Sequence, residues 1–191
     1  MKILVISDTH LPDFSAASSD SDGFSIFPEV LRQKIREADL IVHAGDFETD
    51  AAYALFQKTG KLKAVHGNCD TGKIQKELPG KLVFEAFGIK FGVVHEAGLS
   101  LNDNTARWYI LQEMGVDVLI YGHIHTPSVD EYKGKFLVCP GSPTKARMSE
   151  PAVAEITIDE SEKKIKEIQI IPVGAASCGY LKFQEQLLEK K

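Results

Sequence analysis

Apolar and polar positions along this chain follow two rhythms in turn. Lys2–Ser7 is a continuous apolar run with β-branched residues that stops at Asp8, the pattern of a strand covered on both faces. Pro28–Ala38 places Val30, Leu31, Ile35 and Ala38 on one side of a helix, with Pro28 tolerated in the first turn. Leu40–Ala44 predicts a second buried strand, Thr49–Lys58 a short helix capped by Thr49 or Asp50, and Lys63–His66 a third strand. The rhythm then changes to hairpins. Leu82–Ala86 and Lys90–His95 flank Phe87-Gly88, Ser128–Tyr132 and Lys135–Cys139 flank Lys133-Gly134, and Ala152–Ile158 and Lys164–Pro172 flank Asp159–Lys163. Between them, Asp103–Met114 reads as a helix stopped by Gly115, and Val116–Tyr121 as another buried strand. Tyr180–Glu189 reads as a final amphipathic helix. βαβ units followed by hairpins predict an α/β chain of layered α+β type: a two-sheet β-sandwich flanked by helices, in a single domain over residues 1–191. Within it, residues 13–27 read as a flexible loop insertion around the serine-rich stretch Ser15–Gly23, either a lid or an excursion without a role.

Composition narrows the class. With 43% hydrophobic and 26% charged residues, the chain is expected to be globular rather than disordered. No apolar run approaches the roughly 18–20 residues of a membrane-spanning helix, and the N-terminus reads as a strand rather than a leader. The net charge of −5 argues against a broad surface for extended nucleic acid, although metal ions can supply a local positive charge for a phosphate. Cys69, Cys139 and Cys178 are odd in number, far apart and without a CxxC pair, which disfavours a disulfide framework or thiolate zinc site and points to a reduced, cytoplasmic protein.

The chemistry gathers at strand ends. The first strand runs into Asp8-Thr9-His10, the second into Gly45-Asp46, and the third into Gly67-Asn68-Cys69-Asp70. A hairpin strand ends at His95, and a later strand runs into Gly122-His123-Ile124-His125. Sites in α/β sheets assemble outside the carboxyl ends of strands, so these residues are expected along one edge. Carboxylates, an amide and imidazoles suit transition metals, and two cations close together need a bridging anion. Gly45, Gly67 and Gly122 each precede a candidate ligand, where a side chain would crowd a sharp turn or close approach.

Taken in order, D-x-H, G-D, G-N, a lone His and G-H-x-H resemble the calcineurin-like metallophosphoesterase superfamily, and the Gly-Asn-Cys-Asp variant resembles its compact YfcE-like phosphodiesterases. The resemblance implies a metallophosphoesterase-like sandwich with two divalent ions. Asp8, His10 and His125 would hold one, Asn68, His95 and His123 the other, and Asp46 would bridge them. It implies phosphodiester hydrolysis by a hydroxide bridging the two metals, with Asp46, Asn68, His123 and Cys69 as the catalytic set. Mn²⁺ is the expected metal, with Ni²⁺, Fe²⁺ and Zn²⁺ as alternatives, and the implied partners are a small phosphoester substrate and further copies of the chain in a homodimer or homotetramer.

Three positions depart from the pattern. Cys69 stands where the superfamily often has a histidine that protonates or orients the leaving group, and a thiol is the weaker proton donor at neutral pH. Glu96 follows His95 where glycine is frequent, and Cys139-Pro140-Gly141-Ser142 replaces an Asn-Pro-Gly-Ser loop whose amides would face the substrate phosphate. His43 and His66 match no ligand motif and read as structural, His43 also as a support for a neighbouring ligand; Arg147 is a candidate phosphate contact. Two other readings stand beside the enzyme. One is a noncatalytic protein-interaction scaffold of the same fold, like the retromer subunit, which is expected to have lost ligands. The other is a nuclease acting on short oligonucleotides.

Overall fold

The computed structural model of the chain describes residues 1–13, 23–147 and 149–174. The expected Tyr180–Glu189 helix, Cys178 and most of the serine-rich stretch lie outside them. Among the described residues, ten strands and four helices run in the order β1 (Lys2–Ile6), α1 (Glu29–Glu37), β2 (Leu40–His43), α2 (Asp50–Gln57), β3 (Leu62–Ala64), α3 (Gly72–Glu77), β4 (Lys81–Ala86), β5 (Ile89–Val94), α4 (Thr105–Met114), β6 (Val118–Ile120), β7 (Ser128–Tyr132), β8 (Lys135–Cys139), β9 (Ala152–Asp159) and β10 (Lys164–Pro172). They form two five-stranded sheets, ordered β10-β9-β1-β2-β3 and β4-β5-β6-β8-β7.

Both sheets mix directions, and this positions the site. β1, β2 and β3 are parallel neighbours, as are β5, β6 and β8, while the three expected hairpins and the pairing of β1 with β9 are antiparallel. Parallel neighbours end at the same edge, so the chain leaving β1, β2 and β3 emerges side by side, as does the chain leaving β5 and β6.

The apolar run of the first strand is continuous because both faces are covered. Ile3 and Val5 pack between the sheets with Val42, Phe91, Val93, Val118, Ile120 and Val138. Leu4 and Ile6 point the other way, against Leu31 and Ile35 of α1, Phe56 of α2 and Ile74 of α3. On the far face of the second sheet, Leu119, Tyr121 and Leu137 pack against Leu111 of α4 and its half-buried neighbour Trp108; Tyr109, on the same helix, is exposed.

Helix ends follow local chemistry. Glu29 opens α1 and Lys34 and Arg36 close it, matching the helix dipole. Thr49 caps α2 by accepting from the Ala52 amide, and Gly115 ends α4 at φ 64°. The chain differs from its sequence pattern in three places. α3 is a six-residue helix whose Gly72 start and single buried residue, Ile74, leave no periodic signal; Thr71 caps it. β3 covers Leu62–Ala64 instead of Lys63–His66, because the chain turns away toward Gly67 as soon as its pairing with β2 ends. The end of the expected 13–27 insertion belongs to the core: Phe24 and Phe27 are buried and pack edge and face against Phe56, anchoring the segment that a purely compositional reading leaves loose.

Phe56 is fully buried and contacts the rings of Phe24, Phe27, His43 and Phe47. Phe56→Ala is expected to lower unfolding free energy by about 3–5 kcal/mol, because so enclosed a site cannot collapse around the void. Urea denaturation checks this; a loss below about 1 kcal/mol would show that the cluster adapts.

Candidate metal centre

The strand ends bring the sequence candidates together. The loops after β1 and β2 are tied by backbone bonds, with the Asp8 amide donating to the Gly45 carbonyl and the His10 amide to the Asp46 carbonyl. Asp70 then joins the loop after β3 to that after β2: its carboxylate accepts from the amides of Asp46, Glu48 and Gly67 at 3.1, 2.9 and 2.7 Å. The loop after β6 is tied to β1 by the His123 amide, which donates to both Asp8 carboxylate oxygens at 3.2 and 3.0 Å.

Two donor clusters result. In one, His125 Nε2 lies 3.2 Å from Asp8 Oδ1 and 3.3 Å from His10 Nε2, which is 3.9 Å from the same carboxylate oxygen. In the other, Asn68 Oδ1 lies 3.0 Å from both His95 Nε2 and His123 Nδ1, and these two nitrogens are 3.3 Å apart. Asp46 Oδ2 stands between the clusters, 3.5 Å from His10 Nε2 and 3.3 Å from His95 Nε2. All seven sequence candidates therefore converge, and Asp46 occupies the shared position.

The hydrogen bonds fix which atoms face inward. His95 Nδ1 lies 2.8 Å from the Ala44 carbonyl and His125 Nδ1 2.6 Å from the Lys145 carbonyl. A carbonyl only accepts, so these nitrogens donate, and Nε2 is the atom each ring turns inward, a lone pair whenever the ring is neutral. His10 Nδ1 does the same toward the Glu48 carboxylate at 3.0 Å. Asn68 Nδ2 donates to Cys69 Sγ, which turns Oδ1 toward the two imidazoles. Lone pairs of His10 and His125 thus face each other, and those of His95, Asn68 Oδ1 and Asp46 Oδ2 converge. Cleared of protons, these atoms are spaced as ligands about 2 Å from a common cation would be. The donor set fits divalent metals, and its imidazole, amide and carboxylate composition fits Mn, Fe, Ni or Zn.

Electrostatics agree. Burial alone would raise the Asp46 carboxyl, yet the hydrogen bond and charge of His95, with donors from Cys69, hold it well below the usual carboxylate range. Burial likewise opposes ionisation of Asp8, but bonds from His125 and Ser7 keep it below its ordinary value. His95 resists burial: the adjacent Asp46 and Asp8 charges push it above 6.5. Cys69 is pushed up to about 11, first by desolvation and then by Asp46, so its thiol keeps its proton at neutral pH.

Backbone strain concentrates here. Asp8, His10, Asp46, His123 and His125 all have φ between 40° and 73°, the left-handed region that side chains seldom adopt. The neighbouring glycines explain themselves: a Cβ on Gly67 would sit 2.1 Å from Asp46 Oδ1, and one on Gly122 1.9 Å from Ser7 Oγ.

Several supports carry no motif. Glu48 orients His10 and pairs with Lys145 at 3.0 Å. Asp70 pins three ligand-loop amides. Ser142 donates to the Asp8 carbonyl at 2.7 Å and accepts from the Lys145 amide, so the Pro-Gly-Ser loop braces the first cluster through its hydroxyl. An acidic residue two positions beyond a ligand was the available signal for Glu48 and Asp70; Ser142 was marked by its Pro-Gly-Ser loop, but for its amide rather than its hydroxyl. His43, fully buried and stacked on Phe47, accepts from the Gly45 amide at Nδ1, so its Nε2 donates to Thr9 Oγ1 at 3.2 Å. Burial pushes its pKa down to about 3, leaving a neutral strut between the loops that bear Asp8, His10 and Asp46. His66 stands outside both clusters. Arg147 is exposed, and its carbonyl accepts from Thr126.

Residues 1–161 match the calcineurin-like phosphoesterase superfamily domain. A probable metallophosphoesterase of Methanothermobacter thermautotrophicus is 34% identical over 184 residues, covering 96% of this chain and 99% of its own. Among solved structures, wild-type Vps29 of Entamoeba histolytica, complexed with Zn²⁺, shares 22% identity and a TM-score of 0.65 over 91% of this chain and all of its own. A structure described as a novel archaeal phosphodiesterase shares 20% identity and a TM-score of 0.62 over 90% of this chain and all of its own. These two share the fold: two mixed five-stranded sheets flanked by helices. The chain belongs to the calcineurin-like phosphoesterase superfamily, a family of metallophosphoesterase hydrolases.

Glu48→Ala removes the acceptor that orients His10, and is expected to weaken metal affinity by about 10–100-fold. Titration calorimetry with Mn²⁺ checks this; unchanged affinity would show that Glu48 does not support the centre. Protons compete with metal for His95, and because the Asp46 and Asp8 charges raise its pKa, the competition begins above 6.5. Affinity is therefore expected to fall as pH is lowered from 8 to 6, and a flat profile would contradict the inward lone-pair arrangement.

Proposed function

We propose that this chain is a metal-dependent phosphodiesterase that works with two divalent ions, Mn²⁺ foremost, in the cytoplasm. The observation that carries the proposal is the shared position of Asp46 Oδ2 between two clusters of inward-facing acceptors. In this reading Asp8, His10 and His125 hold one ion, Asn68, His95 and His123 the other, and Asp46 joins them. When bound, the ions supply Lewis acidity to the phosphoryl oxygens and bring the pKa of water near neutrality, so that hydroxide is available as the nucleophile.

The remaining work falls to the chain's own groups. Asp46 and Asp8 stay ionised and offset the cationic charge. The Ala44 and Lys145 carbonyls and Glu48 hold three imidazoles in the tautomer that presents Nε2. Cys69 lies beside Asp46 and keeps its proton, so it offers a hydrogen bond rather than a strong acid. Leaving groups that depart without full protonation, such as phenolates, suit such a site. Diester over monoester is supported by the archaeal neighbour's described activity and by the modest cationic endowment of the rim, where Lys145 is already paired with Glu48.

The likeness to Vps29 raises a second reading, a protein-binding scaffold. What favours the hydrolase is the 34% identity to the probable metallophosphoesterase, with all seven candidate ligands present in the sequence, against 22% to the zinc-bound Vps29.

Bis(p-nitrophenyl) phosphate is expected to be hydrolysed with Mn²⁺ and not in excess chelator. Asp46→Asn or His123→Ala should reduce kcat by at least about a hundredfold, and Cys69→Ala by less than about tenfold. Full activity in chelator, or an Asp46→Asn variant as active as the parent, would overturn the proposal.

A further inference from the structure

Beside the second donor cluster lies a cavity of about 480 Å³, within the range of roughly 300–1,000 Å³ typical of small-molecule sites. Asn68 and His95 form its inner wall, so it opens onto the candidate metal centre; His66, Gln75, Lys81 and Glu96 line the rest. We propose that this cavity is the subsite for one substituent of the phosphodiester, and that it selects a hydroxyl-bearing group such as the sugar of a nucleoside over an aryl group. The proposal rests on the phosphodiesterase reading and specifies its substrate class.

The lining carries the argument. Glu96 has no hydrogen-bond or ion-pair partner among the described residues, and its carboxylate can only accept. Gln75 Nε2 is committed to the Asp70 carbonyl at 2.8 Å, which leaves its amide oxygen as an acceptor. Lys81 donates, and its pairing with Glu113 at 4.0 Å between exposed side chains is weak. His66 holds its Nδ1 against the Gly67 carbonyl, at 3.3 Å; as that oxygen only accepts, Nε2 of the neutral ring is a further acceptor. The wall therefore offers several acceptors beside the Lys81 ammonium and the second N–H of Gln75. Vicinal hydroxyls both donate and accept and can satisfy such a wall, whereas an aryl ring would desolvate these groups without pairing them, the situation in which polar pockets reject apolar analogues. None of these four residues holds a candidate metal, so the subsite is separable from the centre.

Two diesters with the same leaving group test this: uridine 5′-(p-nitrophenyl phosphate), whose ribose keeps both vicinal hydroxyls, and bis(p-nitrophenyl) phosphate, with Mn²⁺. The expected result is a kcat/KM at least about tenfold higher for the nucleoside diester, with the ratio falling about tenfold in Glu96→Gln and in Gln75→Ala. Circular dichroism and thermal melting confirm that both variants fold, and each stands in if the other does not. Independently of turnover, saturation-transfer NMR with uridine on metal-free protein should show transfer to the ribose protons, weakened in Glu96→Gln. Hydrolysis of both diesters without preference, or a preference and NMR signal untouched by either substitution, would overturn the subsite while leaving the phosphodiesterase reading intact. If neither diester is hydrolysed, that reading fails, and absence of saturation transfer would then remove the subsite as well.

Discussion

One carboxylate oxygen organises this molecule. Asp46 Oδ2 stands within 3.5 Å of an imidazole from each donor cluster, and each cluster draws its donors from both sheets. His10 and Asp46 leave the first sheet, and His95 and His123 the second. The packing of Ile3, Val5 and Val42 against Phe91, Val93 and Ile120 therefore sets the spacing of the donors as well as stabilising the sandwich. A shift of one sheet against the other would pull each cluster apart, so the apolar layer and the polar edge are one construction.

The polar edge is held at a cost. Five candidate ligands adopt left-handed backbone, each costing on the order of 1 kcal/mol or more, though Asp and His tolerate it better than branched residues. What offsets this is a shell of fixed donors and acceptors: Asp70 on three amides, Ser142 on the Asp8 carbonyl, His43 between Thr9 and Gly45. A site strained before its ligand arrives loses less on binding it, which is how preorganisation raises affinity.

Much of this was legible in the sequence because it lives in short segments. β1 and β2 show as apolar runs closed by polar turns, the three hairpins by their Gly-containing or polar turns, and Asp8, His10, Asp46, Asn68, His95, His123 and His125 by their place directly after strands. The glycines at 67 and 122 were readable as close approaches, and the distances to Asp46 and Ser7 give the reason. What escaped depends on contacts distant in sequence. α3 buries one side chain and so has no periodicity. Phe24 and Phe27 look like loop residues until the α2 face they pack on is in place. Glu48, Asp70 and Ser142 act through backbone groups and a ring nitrogen of residues up to 134 positions away, and no spacing announces such bonds.

The central claim is that two cations sit on either side of Asp46. Anomalous diffraction from crystals grown with Mn²⁺ tests it most directly. The account predicts two peaks per chain, one among Asp8, His10 and His125, the other among Asn68, His95 and His123, with the Asp46 carboxylate touching both. A single peak away from Asp46, or full occupancy of both positions in the Asp46→Ala variant, would contradict it.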